Sequence, residues 1–228
     1  MKEAKQEKNK PITVKTNKKG RHVMPLLSFI RTVALPIYYL LRPFRFYGPR
    51  KVKDGPCIYV CNHYTMCDPA YVIATTSEGV HFIAKKETFD TPVLGWLMRS
   101  IKAIKANRDG RDVRTILDSM KCLKNGEKVA IYPEGTRNKS GEGMLPFHHG
   151  AAAIAIRAKV PIVPIVMYSK PKFFRCTHIL IEEPFELSEY YDMKLSDEEY
   201  ARIDEQLYQR MLAMRESHTK YLQEQKRK

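Results

Sequence analysis

The sequence predicts an α/β fold in which a single, mostly parallel (mixed) sheet is flanked by helices. After residue 48, short β-branched or aromatic runs alternate with helical segments, and this alternation is typical of a parallel sheet with covered faces. The length of 228 residues and the 43% hydrophobic content support one substantial core. The sequence contains no internal repeat and no convincing linker, so we expect one α/β domain.

The chain opens with a basic segment, residues 1–21, which we expect to be a disordered tail. Residues 22–47 are apolar and aromatic with flanking Lys and Arg, and they predict a helical segment that docks on a membrane. Arg31 and Pro36 interrupt this run. Residues 24–41 would span about 27 Å as a helix, slightly less than a hydrocarbon core of about 30 Å. Docking is therefore favoured over spanning, and a helix buried against the domain is the alternative.

The α/β domain is predicted over residues 48–228, with a C-terminal helix. Apolar runs bounded by turn residues predict strands at Cys57–Cys61, Val80–Ala84, Ile101–Lys105, Val129–Tyr132, Ile162–Met167 and Ile179–Ile181. Helices are expected between them, at Pro69–Thr76, Pro92–Arg99, Asp112–Lys124 and Gly150–Ala158. A capping-box arrangement, Ser196 with Glu199, predicts that a last charged helix begins there and ends near His218.

The charge distribution limits the classes of partner. The formal net charge is +15, residues 1–21 hold eight basic and two acidic side chains, and residues 215–228 hold five and two. Basic ends around a mildly basic body suit an anionic membrane surface, an acidic protein or a nucleic acid. A nucleic-acid-binding module is less favoured, because no RNA or DNA motif is visible and the aromatic residues lie outside the basic tails.

The five cysteines lack regular spacing and indicate a reduced, cytosolic protein. Cys57, Cys61, His63 and Cys67 suggest a metal cluster at first sight. However, four residues of strand span about 13 Å, so Cys57 and Cys61 cannot share one zinc ion at bond lengths of about 2.3 Å. We therefore predict no metal site and no cofactor.

Two polar clusters follow predicted strands, where ligands collect in open α/β sheets. The first cluster, residues 62–68, contains His63 and, five positions later, Asp68. A neutral histidine can take a proton from an attacking hydroxyl, and a carboxylate fixes its tautomer. His63 as a base oriented by Asp68 is one interpretation of this cluster, and an ordinary polar loop between a strand and a helix is the alternative for the cluster taken alone. Asp68 is also expected to cap the helix that Pro69 begins.

The second cluster is "YPEGTRNKSGEG", residues 132–143. Gly135 permits a close backbone approach, and the planar guanidinium of Arg137 suits a phosphate. The stretch lacks the Gly-Lys-Ser/Thr ending of a nucleotide P-loop, so ATP binding is disfavoured. An ordinary turn with a surface arginine is the alternative for this cluster taken alone.

Together the clusters resemble the glycerolipid acyltransferase family, in particular 1-acylglycerol-3-phosphate (lysophosphatidic acid) acyltransferases. The family motif Asn-His-x-x-x-x-Asp is met by Asn62, His63 and Asp68, and the motif Pro-Glu-Gly-Thr-Arg by residues 133–137. Residues 160–165 are similar to the hydrophobic fourth motif. The resemblance covers approximately residues 50–185.

The resemblance implies His63 as general base and Asp68 as its partner. The residues it implies for binding the acceptor are Glu134, Gly135, Thr136, Arg137 and Arg108. The second motif departs from the family pattern, because Lys102 and Lys105 replace its usual glycine and aromatic residue.

The resemblance further implies acyl transfer from an acyl carrier protein or coenzyme A thioester to the sn-2 hydroxyl of 1-acylglycerol-3-phosphate. The product would be phosphatidic acid, made during phospholipid biosynthesis at the cytoplasmic face of the membrane. Residues 48–228 would then be the acyltransferase domain. Another lysophospholipid or an aminolipid is the alternative acceptor. A non-catalytic lipid-binding scaffold is a third hypothesis, against which the intact His63 and Asp68 argue.

Overall fold

The structure is a computed structural model that describes residues 25–49, 55–76, 79–107, 112–141, 143–148 and 150–227. The predicted basic tail, residues 1–21, and Arg108 lie outside the described residues. Within the described ranges, none of the helices combines the length and the apolar character needed to cross a bilayer.

A mixed sheet forms the centre of the described chain. Its seven strands are β1 (Phe44–Tyr47), β2 (Ile58–Cys61), β3 (Val80–Lys85), β4 (Ile104–Ala106), β5 (Lys128–Ile131), β6 (Ile162–Met167) and β7 (Thr177–Ile181). Their spatial order is β1-β7-β6-β2-β5-β3-β4. Only β6 and β7 pair in antiparallel fashion among these strands, and the other pairs are parallel. The predicted mostly parallel, mixed sheet is therefore confirmed.

Helices cover both faces of this sheet. They are α1 (Pro25–Phe29), α2 (Leu35–Leu41), α3 (Pro69–Thr75), α4 (Pro92–Ser100), α5 (Val113–Lys124), α6 (Ala151–Ala158) and α7 (Asp197–Arg227), with a π-helical turn at Ile30–Ala34 and 3-10 turns at Lys86–Asp90 and Ser188–Tyr190. Side chains of α1, α3 and α4 share one buried apolar cluster, and those of α5, α6 and α7 share another.

The central strand β2 contributes to both clusters, because successive side chains of a strand point to opposite faces. Tyr59 and Cys61 belong to the first cluster, and Ile58 and Val60 to the second. All four residues are buried. The end of β2 is therefore held rigidly from both sides, which fixes the starting point of the loop that carries His63.

The N-terminal segment is helical, but its helical part ends at Leu41. Pro36 does not break the helix. A π-helical turn precedes it, in which the N–H of Leu35 donates to the carbonyl of Ile30. Residues 44–47, predicted as the end of the helical segment, instead form the edge strand β1, with Phe44 opposite Thr177 of β7. This correction reflects a partner far away in the sequence.

Two further boundaries differ from the predictions. Ile101, predicted to begin a strand, ends α4 by donating its N–H to the carbonyl of Leu97 at 3.0 Å, and the strand begins at Ile104. The capping box at the start of α7 is confirmed, since the Ser196 N–H donates to Glu199 Oε2 at 2.6 Å. The helix itself continues to Arg227 instead of ending near His218.

Candidate active site

His63 and Asp68 lie in the loop that follows β2. His63 Nδ1 is 2.9 Å from Asp68 Oδ2, and Asp68 is only 1% exposed. An ionised carboxylate only accepts hydrogen bonds, so the hydrogen lies on Nδ1 and Nε2 keeps its lone pair. The 16% exposure of the imidazole leaves a limited approach to it. The predicted base and partner are thus brought together in the tautomer that a general base needs.

The Asp68 carboxylate is also the centre of its own loop. Oδ2 accepts the N–H groups of Tyr64 at 2.6 Å and Thr65 at 2.7 Å, and Oδ1 accepts the Thr65 hydroxyl at 2.6 Å. Asp68 occupies the N-cap position of α3, but its side chain makes no capping hydrogen bond. The prediction that its side chain caps the helix is wrong, because both oxygens are committed to the loop before it. Pro69 begins the helix as expected.

Asn62 joins the same loop to the neighbouring strand β6. Its Nδ2 donates to the carbonyl of Met167 at 3.0 Å, and its Oδ1 accepts the N–H of Met167 at 2.7 Å. The amide is completely buried, where a satisfied pair of hydrogen bonds is worth more than in water. Asn62 therefore fixes the position at which the chain leaves the sheet. In the sequence Asn62 is recognisable only as part of a motif.

The loop after β5 holds the backbone of His63 from both sides. The His63 N–H donates to Glu134 Oε1 at 2.9 Å, and the His63 carbonyl accepts the N–H of Asn138 at 2.7 Å. The contact of Asn138 could not be predicted from the sequence, because it depends on how the two loops meet. Two polar clusters that lie far apart along the chain thus form one site.

Glu134 is 1% exposed, and its second oxygen accepts the N–H of Leu145 at 3.3 Å. Burial raises the pKa of this carboxyl to about 7, although its two backbone hydrogen bonds act in the opposite direction. The negative charge of Asp68 adds to the rise. Glu134 therefore has a positioning role on the backbone of His63, and its predicted contact with the acceptor stays a prediction.

Tyr132 covers one side of the His63 imidazole. Its ring stacks on His63 with 4.3 Å between ring centroids and 28° between ring planes. Burial raises the pKa of the Tyr132 hydroxyl. The ring restricts rotation of His63 and shields it from water on that side. The signal in the sequence is only that Tyr132 opens the second cluster, at the end of the predicted strand Val129–Tyr132.

Gly135, Thr136 and Arg137 lie on the exposed part of the second loop. Gly135 has φ of +61°, and a Cβ added to it would lie 2.7 Å from His148 Cδ2. Its conformation therefore favours glycine, and a side chain there would also force the His148 ring to move. Arg137 precedes Asn138, the residue bonded to His63, and its guanidinium has no hydrogen bond or ion pair within the described part of the chain.

The cysteines do not build a metal centre around this site. Cys57 and Cys61 are buried, and all five cysteines are free. Among the described residues, no three potential metal ligands converge on His63. The donors around His63 are instead committed to orienting a base and its loop.

Comparison with known proteins gives a family and a fold. The family described as Acyltransferase matches residues 43–168. A chloroplastic 1-acyl-sn-glycerol-3-phosphate acyltransferase of Brassica napus is 37% identical over 124 residues, 53% of this chain and 35% of that protein. The human 1-acyl-sn-glycerol-3-phosphate acyltransferase beta is 33% identical over 150 residues, 60% of this chain and 54% of that protein. The match thus spans about half or less of these relatives' length.

A solved structure shows the same fold. It is the 1-acyl-sn-glycerophosphate (LPA) acyltransferase PlsC from Thermotoga maritima, with a TM-score of 0.63 and 24% identity, covering 86% of this chain and 80% of that chain. The family match, residues 43–168, contains both loops of the candidate site and more than half of the chain. The chain therefore belongs to the acyltransferase family.

Proposed function

We propose that this protein is an O-acyltransferase that transfers a fatty acyl group from an acyl thioester to the sn-2 hydroxyl of 1-acylglycerol-3-phosphate, giving phosphatidic acid. The observation that carries the proposal is the His63–Asp68 pair, whose 2.9 Å contact leaves Nε2 as the basic nitrogen. The identity of the acceptor rests on the names of the curated relatives.

In the proposed reaction, His63 Nε2 takes the proton of the acceptor hydroxyl as the hydroxyl oxygen attacks the thioester carbonyl. The tetrahedral intermediate then expels the thiolate, and His63 Nε2 gives its proton to this leaving group. Asp68 stabilises the imidazolium between the two steps. No covalent bond to the enzyme is needed. Cys61 is unsuited to be a nucleophile, because burial raises its thiol pKa well above the usual value.

We assign the acceptor phosphate to the exposed end of the second loop. The Arg137 guanidinium has no partner there among the described residues, and a planar fork of this kind binds a phosphate through two parallel hydrogen bonds. Gly135 and Thr136 flank it at the same surface. Arg108 is proposed as a second cation for the acceptor. The donor is an acyl carrier protein or coenzyme A thioester.

We also propose that the protein docks on the cytoplasmic face of an anionic membrane through an exposed apolar face. Phe29, Val33, Ile37 and Leu40 recur at helical spacing, and all four are exposed, Leu40 by 76%. The opposite side of the same helix packs on the core, with Leu27 fully buried. One side of the segment is thus available for the predicted docking. The other side packs on the domain, as the alternative prediction of a buried helix required.

The loop between β6 and β7 extends this docking face. Phe174 is 75% exposed, and its N–H donates to the carbonyl of Leu41 at 2.8 Å. Phe173 lies next to it, with the Arg42 guanidinium carbon 4.2 Å from its ring centroid. Aromatic side chains bordered by cations suit the interface between lipid headgroups and acyl chains.

The reaction is tested with the purified full-length chain, lysophosphatidate, and each thioester donor in turn. Formation of phosphatidate, measured by mass spectrometry, is expected with the wild type and not with His63→Ala. A lysophospholipid with another headgroup serves as the competing acceptor. Faster acylation of that lipid would replace the acceptor in the proposal, and an active His63→Ala protein would contradict the mechanism.

Docking is tested by flotation with vesicles that contain anionic lipid. Ile37→Asp with Leu40→Asp should release the protein, because each change puts a charge on the apolar face. Leu117→Asp is the matched control, since Leu117 is also exposed but lies on α5, against the other face of the sheet. Equal binding of both variants and the wild type would refute the docking face.

A further inference from the structure

A second group of reactive side chains lies at the opposite edge of the sheet from His63. His81 is the second residue of β3, Cys122 is in the last turn of α5, and Glu127 directly precedes β5. One nitrogen, sulfur or oxygen atom from each lies within 4.8 Å of the other two. Because β3 and β5 are parallel, this group marks the amino ends of the strands.

The hydrogen bond of His81 defines its tautomer. His81 is 3% exposed, and its Nδ1 lies 2.8 Å from the carbonyl oxygen of Lys102. A carbonyl only accepts, so Nδ1 carries the hydrogen, and in the neutral ring Nε2 carries a lone pair. A backbone carbonyl on the other ring nitrogen is also the usual support of a histidine that binds a metal.

His81 Nε2 lies beside a carboxylate without a hydrogen bond. It is 3.1 Å from Glu127 Oε2, yet it has no hydrogen-bond partner among the described residues. This separation is also the one that two neighbouring ligands of one tetrahedral metal ion would have, since such ligands lie about 3–4 Å apart. A metal cation between the two atoms would satisfy both of them.

We propose that His81, Cys122 and Glu127 bind a zinc ion. Imidazole nitrogen, thiolate sulfur and carboxylate oxygen are the three donor types that zinc takes, at bond lengths of about 2.0–2.3 Å. Donors of one tetrahedral ion lie about 3–4 Å apart at these bond lengths, so a small rotation of the half-buried Cys122 side chain completes the set. A water molecule takes the fourth position. The Cys122 thiol gives its proton to solvent as it binds.

The ion would join β3, the end of α5 and the start of β5. The end of α5 and the start of β5 are consecutive in the chain, whereas β3 belongs to an earlier part of it, so the expected effect of zinc is on stability. The site lies outside the acyl-transfer chemistry, because His63 follows the carboxyl end of β2 at the other edge of the sheet. The proposal therefore stands independently of the proposed function.

Zinc content tests the proposal directly. The full-length protein is stripped with a chelator, incubated with zinc chloride and desalted, and its metal content is measured by mass spectrometry. The wild type should retain about one zinc ion per chain, as expected for a three-ligand site. Cys122→Ser and Glu127→Gln should retain almost none. Cys176→Ser, at an exposed cysteine elsewhere in the chain, should bind zinc like the wild type.

Two further measurements distinguish a loss of zinc ligands from a loss of folding in the variants. Circular dichroism checks that each variant is folded, and Cys122→Ser exchanges only one atom at a half-buried position. Cobalt added in place of zinc should give a thiolate charge-transfer band in the wild type and in Cys176→Ser, but not in Cys122→Ser. Zinc should raise the Tm of the same two proteins that show the band.

Two results would overturn the proposal. A wild type without stoichiometric zinc would leave His81 and Glu127 as an ion pair. Undiminished zinc in both Cys122→Ser and Glu127→Gln would place the metal on other side chains.

Discussion

A histidine lies beside a carboxylate at each end of the parallel strands. The two pairs differ in which ring nitrogen of the histidine faces the carboxylate. At the carboxyl ends of the strands, Asp68 accepts the Nδ1 hydrogen of His63 at 2.9 Å, which leaves Nε2 bare. At the amino ends, the Lys102 carbonyl takes the Nδ1 hydrogen of His81, and Nε2 faces Glu127 at 3.1 Å. The first arrangement produces a base that can accept a proton. The second produces a pair of donors for a cation.

The hydrogen bonds around each carboxylate deepen this contrast. Asp68 accepts two backbone N–H groups and a hydroxyl besides the imidazole, so a fixed set of donors stabilises the carboxylate. Glu127 is nearly buried, and the imidazole nitrogen that faces it brings no aligned donor. A short histidine–carboxylate distance therefore does not define a function by itself. What the imidazole can do also depends on the partner of its other ring nitrogen.

The largest effect on activity is expected from removing His63 Nε2, the imidazole nitrogen that faces no carboxylate. His63→Ala should lower kcat about 10³- to 10⁴-fold, because the acceptor hydroxyl loses its base. The protein should stay folded, since Asp68 keeps its hydrogen bonds to Tyr64 and Thr65. Steady-state kinetics and circular dichroism on one preparation measure both properties. A folded variant with wild-type kcat would assign the base to another residue.

Asp68→Asn separates the charge of the carboxylate from its shape. The amide cannot stabilise the imidazolium, so kcat should fall roughly 10²- to 10⁴-fold. Its oxygen still accepts backbone N–H groups, but without the charge, so the free energy of unfolding should fall by about 1–3 kcal/mol. Asp118→Asn, the same change at an exposed helix position, is the control and should alter neither quantity. Full activity in the Asp68→Asn enzyme would reduce Asp68 to a structural residue of the loop.

A third carboxyl, Glu134, sharpens the comparison through its pH dependence. Its folded pKa of about 7 lies above its usual value near 4.5, so the folded protein binds this proton more tightly than the unfolded chain does. The contribution to stability is therefore complete below the lower value and is lost as the pH rises through about 7. The loss should be about 3 kcal/mol.

Denaturant unfolding at pH 5 and pH 8 measures this effect. Glu134→Gln keeps an acceptor for the His63 N–H but cannot titrate, so the variant should lose less stability than the wild type between the two pH values. Identical pH profiles of the two proteins would show that Glu134 has an ordinary pKa in the folded state.

The smallest of these effects concerns the acceptor. Arg137→Ala should raise KM for lysophosphatidate by about 10- to 150-fold, the equivalent of roughly 1.5–3 kcal/mol for a charge-assisted contact. Arg137→Lys should recover part of the loss, because the charge returns without the planar fork. Lys139→Ala removes a charge from the same exposed loop and should change KM less. An unchanged KM in Arg137→Ala would place the phosphate elsewhere.

The pairing of His63 with Asp68 follows largely from the sequence alone. His63 and Asp68 are five positions apart in one loop, so their pairing is a local property that a motif can reveal. The alternation of strands and helices likewise predicts the mostly parallel sheet, because buried strands need apolar runs wherever they lie in the chain. Pro69 and the capping box at Ser196 are also local signals, and the structure confirms both predictions.

Tertiary structure alone decided the remaining features, because each depends on residues that are distant in the sequence. Residues 44–47 become a strand through pairing with β7. The backbone of His63 is held by Glu134 and Asn138 only where the two loops meet. His81 faces Glu127 because β3 and β5 are neighbours and start at the same edge of the sheet. Strand order brings these partners together, and neither spacing nor periodicity along one chain encodes strand order.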